Sequence, residues 1–278
     1  MVSDCFSRDA AQEITDRAFI RLGYEKNDPA TWEKARVHMP SLTSFDCADF
    51  APKAWAAICD LLGGADRIQT PCRWSDALIV NFSDGAAKPW QAPSAAVGGW
   101  HKDGDFFRHY LDSPEQGLLV LVLWSDINSQ GGGTFVAPDS IACVARFFAA
   151  HPEGVLPNDI PFRQLIQECS EFVEVTGKVG DVVLCHPFLL HTSSQNLSGV
   201  PRFLTNPPVS LREPLRFDRT NSDEVSPVEQ IILNAFGAAH LPFAATGTRE
   251  KLVPERVERE KAEKEKEQER VAKSSKMC

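Results

Sequence analysis

Residues 117–124 read Gly-Leu-Leu-Val-Leu-Val-Leu-Trp and carry no polar side chain on either parity. An extended strand sends alternate side chains to opposite faces, so a short run that is apolar on both fits a central strand covered on both sides. Covering layers can be read on either side of it in the chain. Residues 9 to 22 place Ala11, Ile14, Ala18 and Leu22 on one helical face and stop at Gly23. Thr31 to Val37 is read as a short second helix. Pro52 stands at a first helical position, followed by Trp55, Ile58, Cys59 and Leu62 and a Gly63-Gly64 stop. These helices are expected to pack on the outside of a sheet.

Further strands are read at Ala77 to Phe82, from Thr134 to Val136, Phe172 to Thr176, Asp181 to Leu184, around His191, and through 200–206 (Val-Pro-Arg-Phe-Leu-Thr-Asn). Ser140 to Ala150 and Arg163 to Glu168 read as helices around a Pro-rich middle, and Ser226-Pro227-Val228-Glu229 is a capping box opening a packing helix at about 226–237. Three adjacent glycines, Gly131 to Gly133, are read as a turn, since no Lys-Ser/Thr and no helix follow them as a phosphate cradle requires.

Charge and cysteine usage narrow the class. The formal net charge is −9, yet from Arg249 onward ten Lys/Arg face eight Glu, so the acidic excess lies in the body of the chain. Such a body is a poor partner for nucleic acid and favours a small-molecule substrate. Glu255 to Lys276 is charged with scarcely an apolar face, and is read as part of a tail (248–278), a solvated helix or disordered. No run approaches a membrane span, the first twenty residues are too polar for a signal peptide, and the ending Lys-Met-Cys matches neither a prenylation box nor a peroxisomal Ser-Lys-Leu signal. A soluble, cytoplasmic protein is expected. The eight cysteines show no Cys-x-x-Cys pair and no zinc-ligand spacing, so they read as free, mostly buried thiols.

The chemistry-bearing stretch is Trp100-His101-Lys102-Asp103-Gly104. On an extended chain His101 and Asp103 project one way, Trp100 and Lys102 the other. With seven His and nineteen Asp in the chain, a His-x-Asp triplet arises by chance about half a time, so its company matters. His186 and His191 follow some ninety residues on, at opposite parity, so on one strand they face opposite sides; His186 is read as structural. Two imidazoles and one carboxylate on one side of a metal leave positions open for small ligands, the arrangement of oxygen-activating Fe(II) sites. Arg202, eleven residues beyond His191 on a strand, is a natural bidentate partner for a carboxylate.

Taken together, Trp100-His101-Lys102-Asp103, Gly131-Gly132-Gly133-Thr134, Gly180-Asp181-Val182-Val183-Leu184, His191-Thr192-Ser193-Ser194-Gln195-Asn196 and Arg202 resemble the phytanoyl-CoA dioxygenase-like branch of the Fe(II)/2-oxoglutarate-dependent oxygenases, over roughly residues 45 to 240. The resemblance implies a mainly β fold with flanking helices, built on a double-stranded β-helix (jelly-roll, cupin-like) core. The expected organisation is one oxygenase domain over 1–247, with a helical part at 1–65 and the β-helix core at about 75–212. It implies Fe(II) held by His101, Asp103 and His191, and 2-oxoglutarate as cosubstrate with its far carboxylate on Arg202, helped by Ser193 or Thr134. With O2, the family oxidises a substrate C–H bond and releases succinate and CO2. Asp103 in the carboxylate position argues against a halogenase. Where relatives commonly have Gly after the second His this chain has Thr192, expected to narrow the space beside the metal. Asn81, Trp90, Phe106 and Phe107 are candidate substrate contacts in and around the rim loops. Two other readings stay open: a metal enzyme on the same barrel that uses no 2-oxoglutarate, with Arg202 as a structural ion-pair residue, and a non-catalytic metal-binding scaffold. Substrate identity and oligomeric state are not legible.

Overall fold

The computed structural model describes residues 1–274. Its helices are α1 (Arg8–Leu22), α2 (Cys47–Phe50), α3 (Pro52–Leu62), α4 (Ser140–Ala149), α5 (Phe162–Gln167), α6 (Pro227–Ala235) and α7 (Arg256–Ser274). The strands are β1 (Arg36–His38), β2 (Ser44–Asp46), β3 (Arg73–Ser75), β4 (Ile79–Asn81), β5 (Leu118–Leu123), β6 (Thr134–Ala137), β7 (Val173–Glu174), β8 (Val182–Cys185), β9 (Leu190–Ser193), β10 (Arg202–Thr205) and β11 (Pro208–Val209). The chain combines β-sheets with flanking helices, and among the described residues more lie in helices than in strands: the strands are short, while helices cover the sheet and fill the connections.

The apolar run forms β5, buried at every position. β10 and β11 lie in succession along one edge of it and β8 along the other, and β4 and β1 extend the sheet beyond β10; all these pairings are antiparallel. β7, β6 and β9 form a second sheet. The two parities of β5 serve two cores. Leu118, Val120 and Val122 join the large outer core with the helices, whereas Leu119, Leu121 and Leu123 cluster with Val136 of β6, Cys185 of β8 and Leu189. That second cluster draws on both sheets, so they face one another across it. Each of these leucines contributes about 2 kcal/mol by burial, and Leu121→Ala would leave a cavity beneath the site.

The outer helices begin and end where capping chemistry dictates. Ser7 accepts from the Ala10 amide at the start of α1, and Gly23 ends it in the left-handed region at φ 72°. α1 covers the outer face of β4 and β10 through Phe19, whose ring stands edge-on to Phe203 at 5.6 Å. The Ser226/Glu229 capping box opens α6.

Two expectations are corrected. Residues 36–38 are not helical: they form β1, paired to β4 with Arg36 opposite Asn81 and His38 opposite Ile79. Sheet pairing overrides the weak helical periodicity there. The charged tail is not merely solvated either. α7 folds back along α1, and Glu267 is buried against Arg21, whose guanidinium pairs with Glu267 at 2.7 Å and Asp76 at 3.0 Å and donates to the Pro40 carbonyl. The ending Lys-Met-Cys lies outside the described residues. Among those described, the cysteines are free and most are buried; burial pushes the Cys169 and Cys185 thiols up to about 12. No described helix is long and apolar enough to cross a membrane.

Candidate metal centre

His101 and His191 lie directly opposite each other and exchange both backbone hydrogen bonds, His101 N–H to the His191 carbonyl at 3.0 Å and the reverse at 2.9 Å. In an antiparallel pair opposed residues point to the same side, so the two imidazoles converge, with ring centroids 4.4 Å apart. Asp103 Oδ1 reaches both, 3.4 Å from His101 Nε2 and 3.5 Å from His191 Nε2. All three donor atoms lie within 4.8 Å of one another. Metal–ligand bonds of about 2.1 Å place adjacent donors about 3 Å apart, so a small inward adjustment closes the set on one ion.

The donors are also chemically prepared. His101 Nδ1 lies 2.7 Å from the Gly99 carbonyl and His191 Nδ1 3.1 Å from the Leu189 carbonyl. A carbonyl oxygen only accepts, so each ring carries its hydrogen on Nδ1 and turns the Nε2 lone pair to the centre. Gly99, at φ 81°, adopts a left-handed turn that suits glycine. Burial opposes ionisation of Asp103, but protons on the facing Nε2 atoms, that of His191 foremost, outweigh it and hold the carboxyl well below the usual range; a metal ion would take the place of those protons. Its outer oxygen, Oδ2, accepts from Asn206 Nδ2 at 2.7 Å, leaving Oδ1 as the ligand oxygen. These residues fit a divalent metal.

Lys102 points away, as its parity requires. It is buried, donates to the Asp103 carbonyl at 2.8 Å, lies 3.0 Å from His109 Nδ1, and is pushed down to about 7 by burial. His186 stands apart from the three. Its Nδ1 accepts from the Phe188 amide and its Nε2 donates to the Val228 carbonyl, while burial pushes it down to about 3. The site is open on one side: the His101 side chain is 44 % exposed, that of His191 7 %.

Arg202 enters the same interior from β10, with Phe203 turned to α1 on the outer face. It is 1 % exposed, and its Nε and Nη1 donate to the Gly132 and Ile79 carbonyls at 2.7 and 3.1 Å. No carboxylate is paired with it among the described residues. Burial, followed by the charge of Arg36, pushes it down to about 9. Thr134 pairs with Ser193 and Val136 with His191, so Thr134, Ser193 and His191 share a face.

Other candidates are placed differently. Thr192 lies on the opposite face from His191, and its hydroxyl donates to the Gly98 carbonyl at 2.9 Å, so it braces the preceding loop instead of narrowing the space beside the metal. Trp90 stands edge-on to Phe135, the partner of Thr192, and so lies on that opposite face. The Asn81 amide is engaged internally, donating to the Ser194 carbonyl and accepting from the Asp84 N–H. Phe107 is fully buried between Phe106 and His109. Phe106 is partly exposed, its carbonyl accepting from the Leu252 amide.

The structure adds residues that the motif does not contain. Asn206 occupies the break between β10 and β11, followed by Pro207 and by Pro208, with which β11 begins. Arg36 and His38 project from one face of β1; Arg36 donates to the Ser193 hydroxyl and pairs with Asp84 at 3.4 Å. Gln195 Nε2 donates to the Gly85, Lys88 and Pro89 carbonyls, while its Oε1 accepts from the Gln91 amide, pinning the rim loop. The Asn-Pro-Pro run and the Arg-x-His alternation were the available signals.

A family profile described as phytanoyl-CoA dioxygenase (PhyH) matches residues 48–204, more than half of the chain and spanning the three donors and Arg202. The chain therefore belongs to the phytanoyl-CoA dioxygenase family. No curated protein is similar enough to count as a match. Among solved structures, the epimerase SnoN, in complex with Fe3+, alpha ketoglutarate and nogalamycin RO, is 17 % identical, with 92 % of this chain and 91 % of that one covered and a TM-score of 0.44. AviO1 from Streptomyces viridochromogenes Tue57 is 17 % identical over 75 % of this chain and 87 % of that one, at a TM-score of 0.41. EctD from S. alaskensis, with 2-oxoglutarate and 5-hydroxyectoine, is 19 % identical over 72 % and 67 %, at 0.34.

Proposed function

We propose that the protein is an Fe(II)- and 2-oxoglutarate-dependent dioxygenase, built on a double-stranded β-helix core within residues 1–247, that oxidises a C–H bond of a small organic substrate and releases succinate and CO2. The observation that carries this reading is the convergence of His101 Nε2, His191 Nε2 and Asp103 Oδ1, with both Nδ1 atoms tied to backbone carbonyls. When bound, Fe(II) with 2-oxoglutarate and O2 supplies the oxidising equivalents.

The chain's own residues supply position and charge. Asp103, held ionised, gives the site its negative ligand, and Asn206 fixes which of its oxygens faces inward. Arg202, buried and without a carboxylate partner among the described residues, takes the far carboxylate of the cosubstrate, with Ser193 and Thr134 on the adjoining strand face. That missing partner weighs against the alternative in which Arg202 is a structural ion-pair residue. Leu119, Leu121, Leu123 and Val136 close the floor against water. The exposed side of His101 is where substrate would enter.

The test is O2-dependent conversion of 2-oxoglutarate to succinate by Fe(II)-loaded protein, alone and with a panel of small organic substrates. The reading predicts succinate above the His191→Ala background. Succinate equal to that background throughout the panel contradicts it.

A further inference from the structure

His101 and Asp103 stand two residues apart and are held in different ways. His101 is locked into the ladder by its two backbone bonds to His191. The chain then leaves the ladder: among the described residues no backbone–backbone hydrogen bond holds Lys102, Asp103 or Gly104. Asn206 secures the carboxylate end of Asp103. Its backbone end is secured by a side chain, Lys102 Nζ, which donates to the Asp103 carbonyl at 2.8 Å. That bond needs only an N–H, which a lysine nitrogen carries whether charged or neutral.

Lys102 is itself anchored. Its Nζ lies 3.0 Å from His109 Nδ1, which accepts from it, and 5.4 Å from the centre of the Phe107 ring. His109 is fixed in turn: its amide and carbonyl are both bonded to Val155, at 2.8 and 2.9 Å, and its ring stacks on Phe148 with the planes 11° apart. The turn after Asp103 is seated on the same rings. Gly104 has φ 120°, and a Cβ there would come within 2.6 Å of Phe107 Cε1 and 2.7 Å of His109 Cε1. Lys102 and His109 are 6 % and 2 % exposed, so a polar pair is buried among aromatic rings, where Met and Phe would fill the same space without the cost of taking polar groups out of water. Packing alone gives no reason for the pair. Direction does: with the peptide bond planar, turning the Asp103–Gly104 peptide changes ψ of Asp103 and with it the direction in which the carboxylate leaves the chain.

We infer that Lys102 and His109 are positioning residues of the metal centre: His109 holds Lys102, Lys102 holds the Asp103–Gly104 peptide, and the peptide places Asp103 Oδ1 against the two imidazole nitrogens. The inference rests on the reading of His101, Asp103 and His191 as metal ligands. Neither Lys102 nor His109 touches the ion. They act through the ligand that the ladder does not hold.

The experiment titrates the full chain with Co(II), whose visible d–d absorption reports coordination geometry, and measures the unfolding temperature of the same proteins without metal. Wild type, Lys102→Met, His109→Phe and the double variant are compared. Each single change leaves a buried polar group short of a partner, so each is expected to lower the unfolding temperature, and the double variant, apolar at both positions, to recover part of the loss. Metal binding is expected to divide differently. Lys102→Met weakens Co(II) about tenfold, as removal of an orienting group does, and alters the d–d band. The double variant keeps both defects despite its recovered stability, because the Asp103 carbonyl still lacks its donor. A double variant with wild-type Co(II) affinity and band overturns the inference alone. If the double variant does not fold, Lys102→Met is set against Glu267→Ala, which destabilises the chain through α7: weaker Co(II) and an altered band in Lys102→Met alone support the inference, and equal affinity and band in the two overturn it. Wild type that takes up no more Co(II) than His191→Ala overturns the functional reading itself and this inference with it.

Discussion

The amide of Asn206 donates to Asp103 Oδ2 at 2.7 Å, from the break between β10 and β11, which run in succession along β5. The bond occupies the carboxylate oxygen that faces away from the imidazoles and so fixes one-oxygen ligation. Groups that orient a ligand in this way typically change metal affinity 10–100-fold when removed. Asn206→Ala is expected to weaken Mn(II) binding by about that factor with unfolding temperature little changed, measured by metal titration on apo protein. Asn206→Asp is expected to weaken it further, because a second carboxylate faces Asp103.

Breaking the buried pair that docks α7 is expected to destabilise the whole chain. Glu267→Ala removes one of the two carboxylates on Arg21, a group 1 % exposed. Leaving a buried charge short of a partner costs about 3–5 kcal/mol, with the low end expected because Asp76 remains. The exposed pair of Arg256 with Asp105 is the control, and Arg256→Ala should cost under about 1 kcal/mol. Urea unfolding of the two variants checks the contrast.

His186 gives the chain a pH dependence of stability. Its folded-state pKa, about 3, lies below the 6.5 of an unperturbed histidine. The unfolded chain therefore binds a proton that the folded chain refuses. Stability from this group is present above pH 6.5 and is lost as pH falls from there towards 3, at about 1.4 kcal/mol per pH unit. His186→Gln should flatten the urea-midpoint profile of apo protein between pH 6.5 and 4 by that one-proton slope. An unchanged slope would contradict the assignment.

Thr192→Gly tests the loop instead of the metal. The Thr192 hydroxyl ties down the Gly98 carbonyl, one residue before the carbonyl that orients His101. Its loss costs about 1 kcal/mol. Faster amide exchange is expected in residues 95–100, with the number of bound Mn(II) ions unchanged.

What the sequence showed and what it hid divide along the range of the interactions. β5, the caps of α1, α3 and α6, and the convergence of His101 with Asp103 depend on residues a few positions apart, which spacing exposes. β1 is three residues long, too short for period two to stand out, and it becomes a strand only by pairing with β4. Missing that strand hid Arg36. The docking of α7 rests on a bond between residues 246 apart in the chain, Arg21 and Glu267, and a helix with scarcely any apolar residues gives no hint of a buried polar contact. The face on which Trp90 lies and the full burial of Phe107 are set by tertiary packing, which spacing along the chain does not expose.

Anaerobic titration of Fe(II)-loaded protein with 2-oxoglutarate tests the central claim most directly, because a 2-oxo acid chelating Fe(II) gives a weak visible metal-to-ligand charge-transfer band. The account predicts that band in wild type, its loss in His191→Ala, and a requirement for much more cosubstrate in Arg202→Gln. Wild-type protein that demonstrably holds Fe(II) and gives no band at saturating 2-oxoglutarate would contradict it.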